Sequence, residues 1–271
     1  MTRLTIVIVS FNAWSDLERC LSSLHEAPPA IPHEIVVVDN ASTDGGPARL
    51  RERFPGVRLI ALDGNVGFAR ANNIAIRETK SDLVLLLNGD TLVPAGAIDR
   101  LVAALEAEPG AAVAGPRLVD ASGRPELSFG RMVGPFTEPL QKRLVRGVER
   151  GSSRALREVE RLTSRPGHPD WVSGACLLVR RTALESAGLL DERYFMYLED
   201  VDLCAAIRAR GHRIRFVPEV TVTHLRGRSR QSAAAATQRA YRRSHLAFYK
   251  KHHPAWAPLL RLYLRLRGED V

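Results

Sequence analysis

The sequence predicts an α/β fold, a mostly parallel, doubly wound sheet followed by a helical C-terminal tail. Three observations carry this. Residues 4–9 and 34–38 are short, β-branched apolar runs without polar alternation, the mark of strands buried on both faces. Four such runs each empty into a loop of Asn, Asp, Ser and Gly, as expected where a doubly wound sheet opens its ligand edge at the carboxyl ends of its strands. Between the first two runs, Leu17, Cys20, Leu21 and Leu24 recur at helical spacing and complete a strand–helix–strand unit. With 271 residues and 45% hydrophobic content, the chain can bury a substantial core.

In chain order, the first strand ends in Ser10-Phe11-Asn12 and the second in Asp39-Asn40-Ala41-Ser42-Thr43-Asp44. A third is expected at 57–62, before Asn65-Val66-Gly67-Phe68-Ala69-Arg70 opens a helix to about residue 80. The fourth, at 83–87, is the most hydrophobic and ends in Asn88-Gly89-Asp90-Thr91. A helix at 95–108 and a short strand at 111–114 follow. Residues 120–169 lack a clean period apart from a helical candidate at 138–162, and read as a surface excursion or lid. Order resumes with one strand across 171–179. Glu199-Asp200-Val201-Asp202 then opens a helix that Gly211 stops, and a last strand at 214–217 leads towards His224.

The formal charge of +9 is not spread evenly. Residues 226–271 hold eleven Lys or Arg against two acids, so the rest of the chain is balanced. Over 239–253, Tyr241, His245, Phe248 and Tyr249 share one helical face, with Arg242, Arg243 and Lys250 largely opposite, and 259–267 mixes leucine with arginine. Such segments either lie on anionic lipid or dock on their own domain, and both options stand at this point. Nucleic acid is disfavoured, because no reading module or aromatic platform accompanies the charge. Cys20, Cys176 and Cys204 are far apart and form neither a disulfide framework nor a zinc motif, which fits a reducing cytoplasm. The apolar run near the N-terminus is too short for an export signal, and no stretch approaches the roughly 18 apolar residues of a membrane span.

Chemistry is expected at the carboxyl edge. Asp90 emerges there from a buried strand, where a hard divalent cation bridging to a diphosphate needs an oxygen ligand. Glu199 and Asp200 open a helix after the apolar, aromatic Tyr194-Phe195-Met196-Tyr197, a partly desolvated setting that suits a general base. His224 precedes Arg226, Arg228 and Arg230, groups suited to phosphate. Asp39 is placed to accept from a base or ribose. The sequence has no Gly-x-Gly-x-x-Gly after its first strand and no phosphate-loop Gly-Lys-Ser/Thr motif, which weakens nicotinamide-cofactor and P-loop readings.

The ordered set of motifs resembles glycosyltransferase family 2, and within it rhamnosyltransferase-like bacterial enzymes. The matching elements are the strand into Phe11-Asn12, Val36 to Asp44, Gly64 to Asn73, Leu86 to Thr91, Trp171 to Cys176, and Phe195 to Leu203. The resemblance implies a glycosyltransferase A-type, Rossmann-like fold, with residues 1–230 as catalytic domain and 231–271 as a basic helical segment. Within the domain, 1–115 would be the nucleotide-binding half, 116–170 a variable excursion and 171–230 the acceptor and catalytic half. It implies nucleotide contacts from Ser10, Phe11, Asn12, Asp39, Asn65, Gly67, Arg70 and Asn88, and Mg²⁺ or Mn²⁺ on Asp90 and His224. Trp171, Gly174 and Glu199 would line the acceptor or donor-sugar pocket, Arg226 and Arg228 would meet the diphosphate, and Asp200 would be the catalytic base. One departure is plain: Asn88 stands where the family's Asp-x-Asp motif has its first acid, which removes one negative charge from the metal site. The implied reaction is inverting transfer from a dTDP- or UDP-linked sugar, rhamnose among the options, to a glycan or lipid-linked acceptor at the inner membrane face. A sugar-nucleotide-binding protein without transfer activity, or a membrane-surface adaptor, are the alternatives.

Overall fold

The computed structural model describes residues 3–225 and 234–267. Its centre is a sheet in which β1 (Leu4–Ser10), β2 (His33–Asp39), β3 (Arg58–Ala61) and β4 (Leu83–Asn88) run parallel. Beyond β4, β9 (Cys176–Arg180) lies antiparallel and hands over to the parallel pair β6 (Ala111–Val119) and β10 (Arg213–His224), with β5 (Thr91–Leu92) antiparallel at the far edge. The order is therefore β3-β2-β1-β4-β9-β6-β10-β5, and six of these eight strands point the same way. A second small sheet pairs β7 (Phe129–Gly130) with β8 (Trp171–Val172).

Helices cover both faces, so the strands alternate between two apolar clusters. Leu4, Ile6, Ile8, Leu83, Leu85 and Leu87 meet α1 (Trp14–Glu26), α2 (Gly46–Arg53) and α4 (Ala97–Glu106). Val7, Val84 and Leu86 meet α3 (Phe68–Arg77), α7 (Arg181–Ala187) and α8 (Glu199–Arg208). This two-sided burial is why the strands read as unbroken apolar runs.

Where the sequence reading has a short strand at 111–114, β6 runs on to Val119, α2 was not expected, and the structure differs in three further places. The segment 171–179 is two strands rather than one: the chain breaks pairing at 173–175, where Ser173 N–H donates to the Ser128 carbonyl and Ala175 O accepts from Asn88 N–H. Gly115 on β6 makes room for Val172 at this crossing, since a Cβ there would lie 2.6 Å from the Val172 Cβ. The helical candidate at 138–162 is a hairpin of α5 (Glu138–Glu149) and α6 (Ser153–Thr163), because Gly151 turns the chain at φ 72° and the Ser152 side chain caps α6. The last strand does not stop at 217. It bulges over 218–220, where Pro218 has no N–H to give, and resumes pairing to His224.

The tail helix α9 (Ala234–His252) docks on the domain. Leu246, Phe248 and Tyr249, with Ala257 of α10 (Ala257–Leu266), pack on Val133, Tyr194, Leu198 and Val201. Phe248 is completely buried, which stabilises this docking by about 3 kcal/mol relative to an exposed ring. Among the described residues, no helix is long and apolar enough to cross a membrane.

Candidate functional site

Strand register sets the first layer of the site. Ser10 pairs with Asp39, and Val9 with Asn88, so three of the expected residues end their strands side by side. The loops beyond are tied to each other. Asn12, at φ 49°, accepts from Thr43 N–H at 2.7 Å and donates its own N–H to the Ser42 hydroxyl at 2.9 Å. Asp39 accepts from Ser42 N–H at 2.9 Å and is buried. Phe11 is left 45% exposed at the rim, an uncovered ring available to stack on a base. Beside it, Asn12, Trp14, Asp16, Asp44 and Arg49 line a hollow of about 230 Å³.

The third loop is fixed from below by a residue that the sequence did not single out. Asn40, 3% exposed, accepts from Val66 N–H at 2.8 Å and donates to the Gly67 carbonyl at 3.3 Å. Asn65 makes a local turn, accepting from Gly67 N–H at 3.0 Å. Gly67 sits at φ 87°, ψ 171°, and a Cβ there would lie 2.6 Å from the Phe195 carbonyl oxygen. The next residue, Phe68, donates its N–H to that same oxygen. Gly67 is thus the seat of the 195–200 loop as well as part of the rim. Arg70, exposed on α3, lies 3.9 Å from Glu192.

Asp90 and His224 meet. His224 pairs across β10 and β5 with Thr91, Leu225 N–H donates to the Asp90 carbonyl, and the imidazole Nε2 lies 3.3 Å from Asp90 Oδ1. Its Nδ1 lies 3.2 Å from Oε2 of Glu126, a buried acid that the sequence reading missed. Burial opposes a charged imidazole, but the hydrogen bonds and charges of Asp90 and Glu126 outweigh it and raise His224 to about 9.

Asp200 is held by backbone. Its Oδ2 accepts from Gly174 N–H at 2.7 Å and its Oδ1 from Val201 N–H at 2.8 Å. A Cβ at 174 would lie 3.2 Å from the Asp200 Cβ, so glycine permits the approach. Burial raises Asp200 above its ordinary 3.8, and the two N–H donors offset part of that rise. Burial, together with the Asp200 charge, pushes Glu199 well above the usual carboxylate range. Its Oε2 is buried and has no hydrogen-bond partner among the described residues. Trp171 is half-buried, packs against both the α3-side core and the tail cluster, and donates its indole N–H to the Arg131 carbonyl at 2.9 Å.

Short links join these groups. Asp200 bonds Gly174, the adjoining Ala175 carbonyl accepts from Asn88, and two residues on stands Asp90 with His224. Positions 90, 200 and 224 therefore share one edge of the sheet. The third acid of the helix start faces elsewhere: Asp202, 2% exposed, accepts from Lys251 at 2.7 Å, His252 at 2.6 Å and the Tyr194 hydroxyl at 3.2 Å. Ser244 also donates to the Met196 carbonyl at 2.7 Å, so α9 braces the loop that carries Asp200. Arg226 and Arg228 lie outside the described residues.

A family model for glycosyl transferase family 2 matches residues 5–186. The chain belongs to this family. As a family 2 glycosyltransferase it is 33% identical, over 98% of its own length and 91% of the relative's, to an N-acetylglucosaminyl-diphospho-decaprenol L-rhamnosyltransferase of Mycobacterium tuberculosis. It is 28% identical to an O-antigen biosynthesis protein of Myxococcus xanthus, over 97% of this chain and 20% of that one. A mannosyltransferase of Pyrobaculum calidifontis, solved with GDP-Man and Mn²⁺, superposes with a TM-score of 0.62 at 22% identity, covering 96% of this chain and 68% of that one. GalNAc-T7, solved with UDP, GalNAc and Mn²⁺, gives 0.63 at 20% identity over 83% and 44%. The fold is of the glycosyltransferase A type.

For a divalent cation, the donor chemistry of this glycosyltransferase fits. Asp90 offers a hard oxygen and His224 an imidazole nitrogen, a pair that suits Mn²⁺. Among the described residues, no group of three or more His, Cys, Asp or Glu stands ready to enclose a metal, so phosphate oxygens and water would complete the shell.

Proposed function

We propose that this glycosyltransferase moves rhamnose, with inversion, from a dTDP- or UDP-linked donor to a hydroxyl of a lipid-linked N-acetylglucosamine acceptor, at the cytoplasmic face of the membrane. The observation that carries the reading is the placement of Asp200: fixed by Gly174, raised by burial, and one backbone link from the Asn88–Asp90 loop. The acceptor and sugar come from the 33% identical relative, which matches nearly end to end. Residues 1–115 would serve the nucleotide, 171–230 the acceptor and catalysis, and 116–170 would form a variable excursion, with 231–271 as an appended segment.

In this reading Phe11, Ser10, Asn12 and Asp39 hold base and ribose, while Asn65, Gly67, Arg70 and Asn88 border the nucleotide cleft. Asp90 and His224 would hold a divalent ion, whose charge would offset that of the diphosphate. Asp200 accepts the proton of the acceptor hydroxyl as that oxygen bonds to the anomeric carbon. The bond from that carbon to the diphosphate breaks on the opposite side, its electron pair leaves with the nucleoside diphosphate, and configuration inverts. A raised carboxylate accepts a proton more readily than an ordinary one, and burial raises the neighbouring Glu199 as well. The Glu199 oxygen, unbonded among the described residues, suits a sugar hydroxyl, and Trp171 and Gly174 are assigned to the same pocket. Arg226 and Arg228 are assigned to the diphosphate from their sequence alone.

The test is transfer from dTDP- and UDP-sugars to a synthetic lipid-diphospho-N-acetylglucosamine, with the product anomer read by NMR. Asp200→Asn lowers turnover by about 100- to 10,000-fold while leaving nucleoside-diphosphate affinity within about twofold, a change too small to reflect a lost contact. Near-full turnover of this variant, or a retained anomeric configuration, would overturn the assignment.

A further inference from the structure

The second tail helix buries one side and bares another. Ala257 and Leu260 of α10 pack in the tail cluster, and Leu264 is buried as well. Leu259, Leu262, Tyr263 and Leu266, at positions i, i+3, i+4 and i+7, form a stripe that is 57, 54, 52 and 79% exposed. Next to it, Phe136 (74% exposed) meets the half-bared Trp256 edge-on at 5.5 Å, and Leu140 on α5 is 69% exposed. Large apolar side chains gathered in this way on one side mark a contact surface.

Charge decides the partner. On the helical wheel of α10, Arg265 borders the stripe on the Leu262 side and Arg267 on the Tyr263 side, where it donates to the Tyr263 hydroxyl at 2.7 Å. Exposed Arg143 follows Leu140 along the same face of α5, with exposed Arg146 one turn on. Residues 253–267 include no acid, and the one acid in 131–147, Glu138, is buried against His245, Tyr249 and Lys142. A second copy of the chain meeting this face symmetrically would set arginine against arginine. Apolar side chains flanked by basic ones instead match a lipid surface carrying negative headgroups.

We propose that the outer face of α10, with Phe136, Leu140 and Trp256, is a membrane-contact surface that lies on anionic lipid. It deepens the proposed function, for it rests on the reading of a lipid-linked acceptor only for its purpose. Through α9, which is bonded to Met196 and Asp202, the surface is braced against the loop that bears Asp200. An acceptor whose lipid stays in the bilayer is then offered to the base from the same side.

Vesicle flotation of the full chain, with phosphatidylcholine alone or mixed with phosphatidylglycerol, tests this without donor or acceptor, so its outcome is independent of whether transfer occurs. The chain is expected to float with the anionic vesicles and not with the neutral ones. Arg265→Ala with Arg267→Ala lowers the affinity about 25-fold, at roughly fivefold per basic residue. Leu262→Glu with Leu266→Glu abolishes flotation while leaving turnover on a short, water-soluble acceptor unchanged, and because these sites are exposed its melting temperature stays that of the parent. Equal binding to neutral vesicles, undiminished flotation of both variants, or a dimer in gel filtration that Leu262→Glu dissolves would each overturn the proposal.

Discussion

Replacing Gly67 by alanine probes the point where the nucleotide rim and the base-bearing loop touch. The backbone there, at φ 87° and ψ 171°, belongs to a region that only glycine enters readily, so any side chain costs about 1–3 kcal/mol. The added methyl would also lie 2.6 Å from the Phe195 oxygen and 2.7 Å from its ring. That oxygen cannot easily retreat, since it accepts from Phe68 N–H at 2.6 Å. Overpacking of this kind adds about 1–3 kcal/mol unless the 195–200 loop shifts. We therefore expect Gly67→Ala to lose about 3 kcal/mol in urea unfolding and, because Asp200 rides on the displaced loop, to lose more in kcat than in the KM for the donor. Gly64→Ala is the control: nothing lies within 4 Å of its Cβ position, so stability should stay within about 0.5 kcal/mol. If Gly67→Ala behaved like the control in both assays, the close approach to Phe195 would not be what glycine serves there.

Acid titration should read the tail clamp. Burial works against the charged form of Glu138, but His245 and Lys142 hold it at about 2 instead of 4.5. A depressed carboxylate stabilises above its unfolded value and loses that contribution as pH falls through its folded one, so about 3 kcal/mol should fade between pH 4.5 and about 2. The gap in urea stability between wild type and Glu138→Gln should close over that interval, and a gap constant with pH would contradict the pairing. Asp202→Ala leaves His252 and the Tyr194 hydroxyl without their buried acceptor and Lys251 with Asp191 alone, an expected loss of about 1–3 kcal/mol with a lowered kcat; a shift under about 0.5 kcal/mol would mean the brace is slack. Chelation by EDTA should suppress turnover, and Mn²⁺ should restore it better than Mg²⁺ because His224 supplies nitrogen. Turnover indifferent to both would release Asp90 and His224 from metal binding.

The parts legible in the sequence are those whose physics is local. Runs such as 4–9 and 83–87 announce themselves because both faces are buried, and Ser10, Asp39 and Asn88 could be grouped because parallel strands end together. The helix start at Glu199 was legible from its acids, and the apolar face of α9 from its spacing. Other features depend on long-range meetings that leave no periodic trace. Glu126 sits in an aperiodic stretch and finds His224 98 residues later. Asp202 looks like one more acid of an acid-rich first turn until α9 is seen to bring Lys251 and His252 to it. The break at 173–175 was hidden because Trp171 to Val179 is uniformly apolar apart from Ser173 and Gly174, the two residues at which the chain leaves one sheet for the other.

The three thiols have a practical consequence. Cys20, Cys176 and Cys204 are all buried, and burial pushes each up to about 12, so the native protein offers almost no thiolate to an alkylating reagent. A single cysteine introduced at position 262 would take a fluorophore alone, with no need for a cysteine-free background. Without any such addition, the rate at which maleimide consumes the native thiols counts how often the interior opens, and so lets every variant above be ranked by its own sulfur atoms.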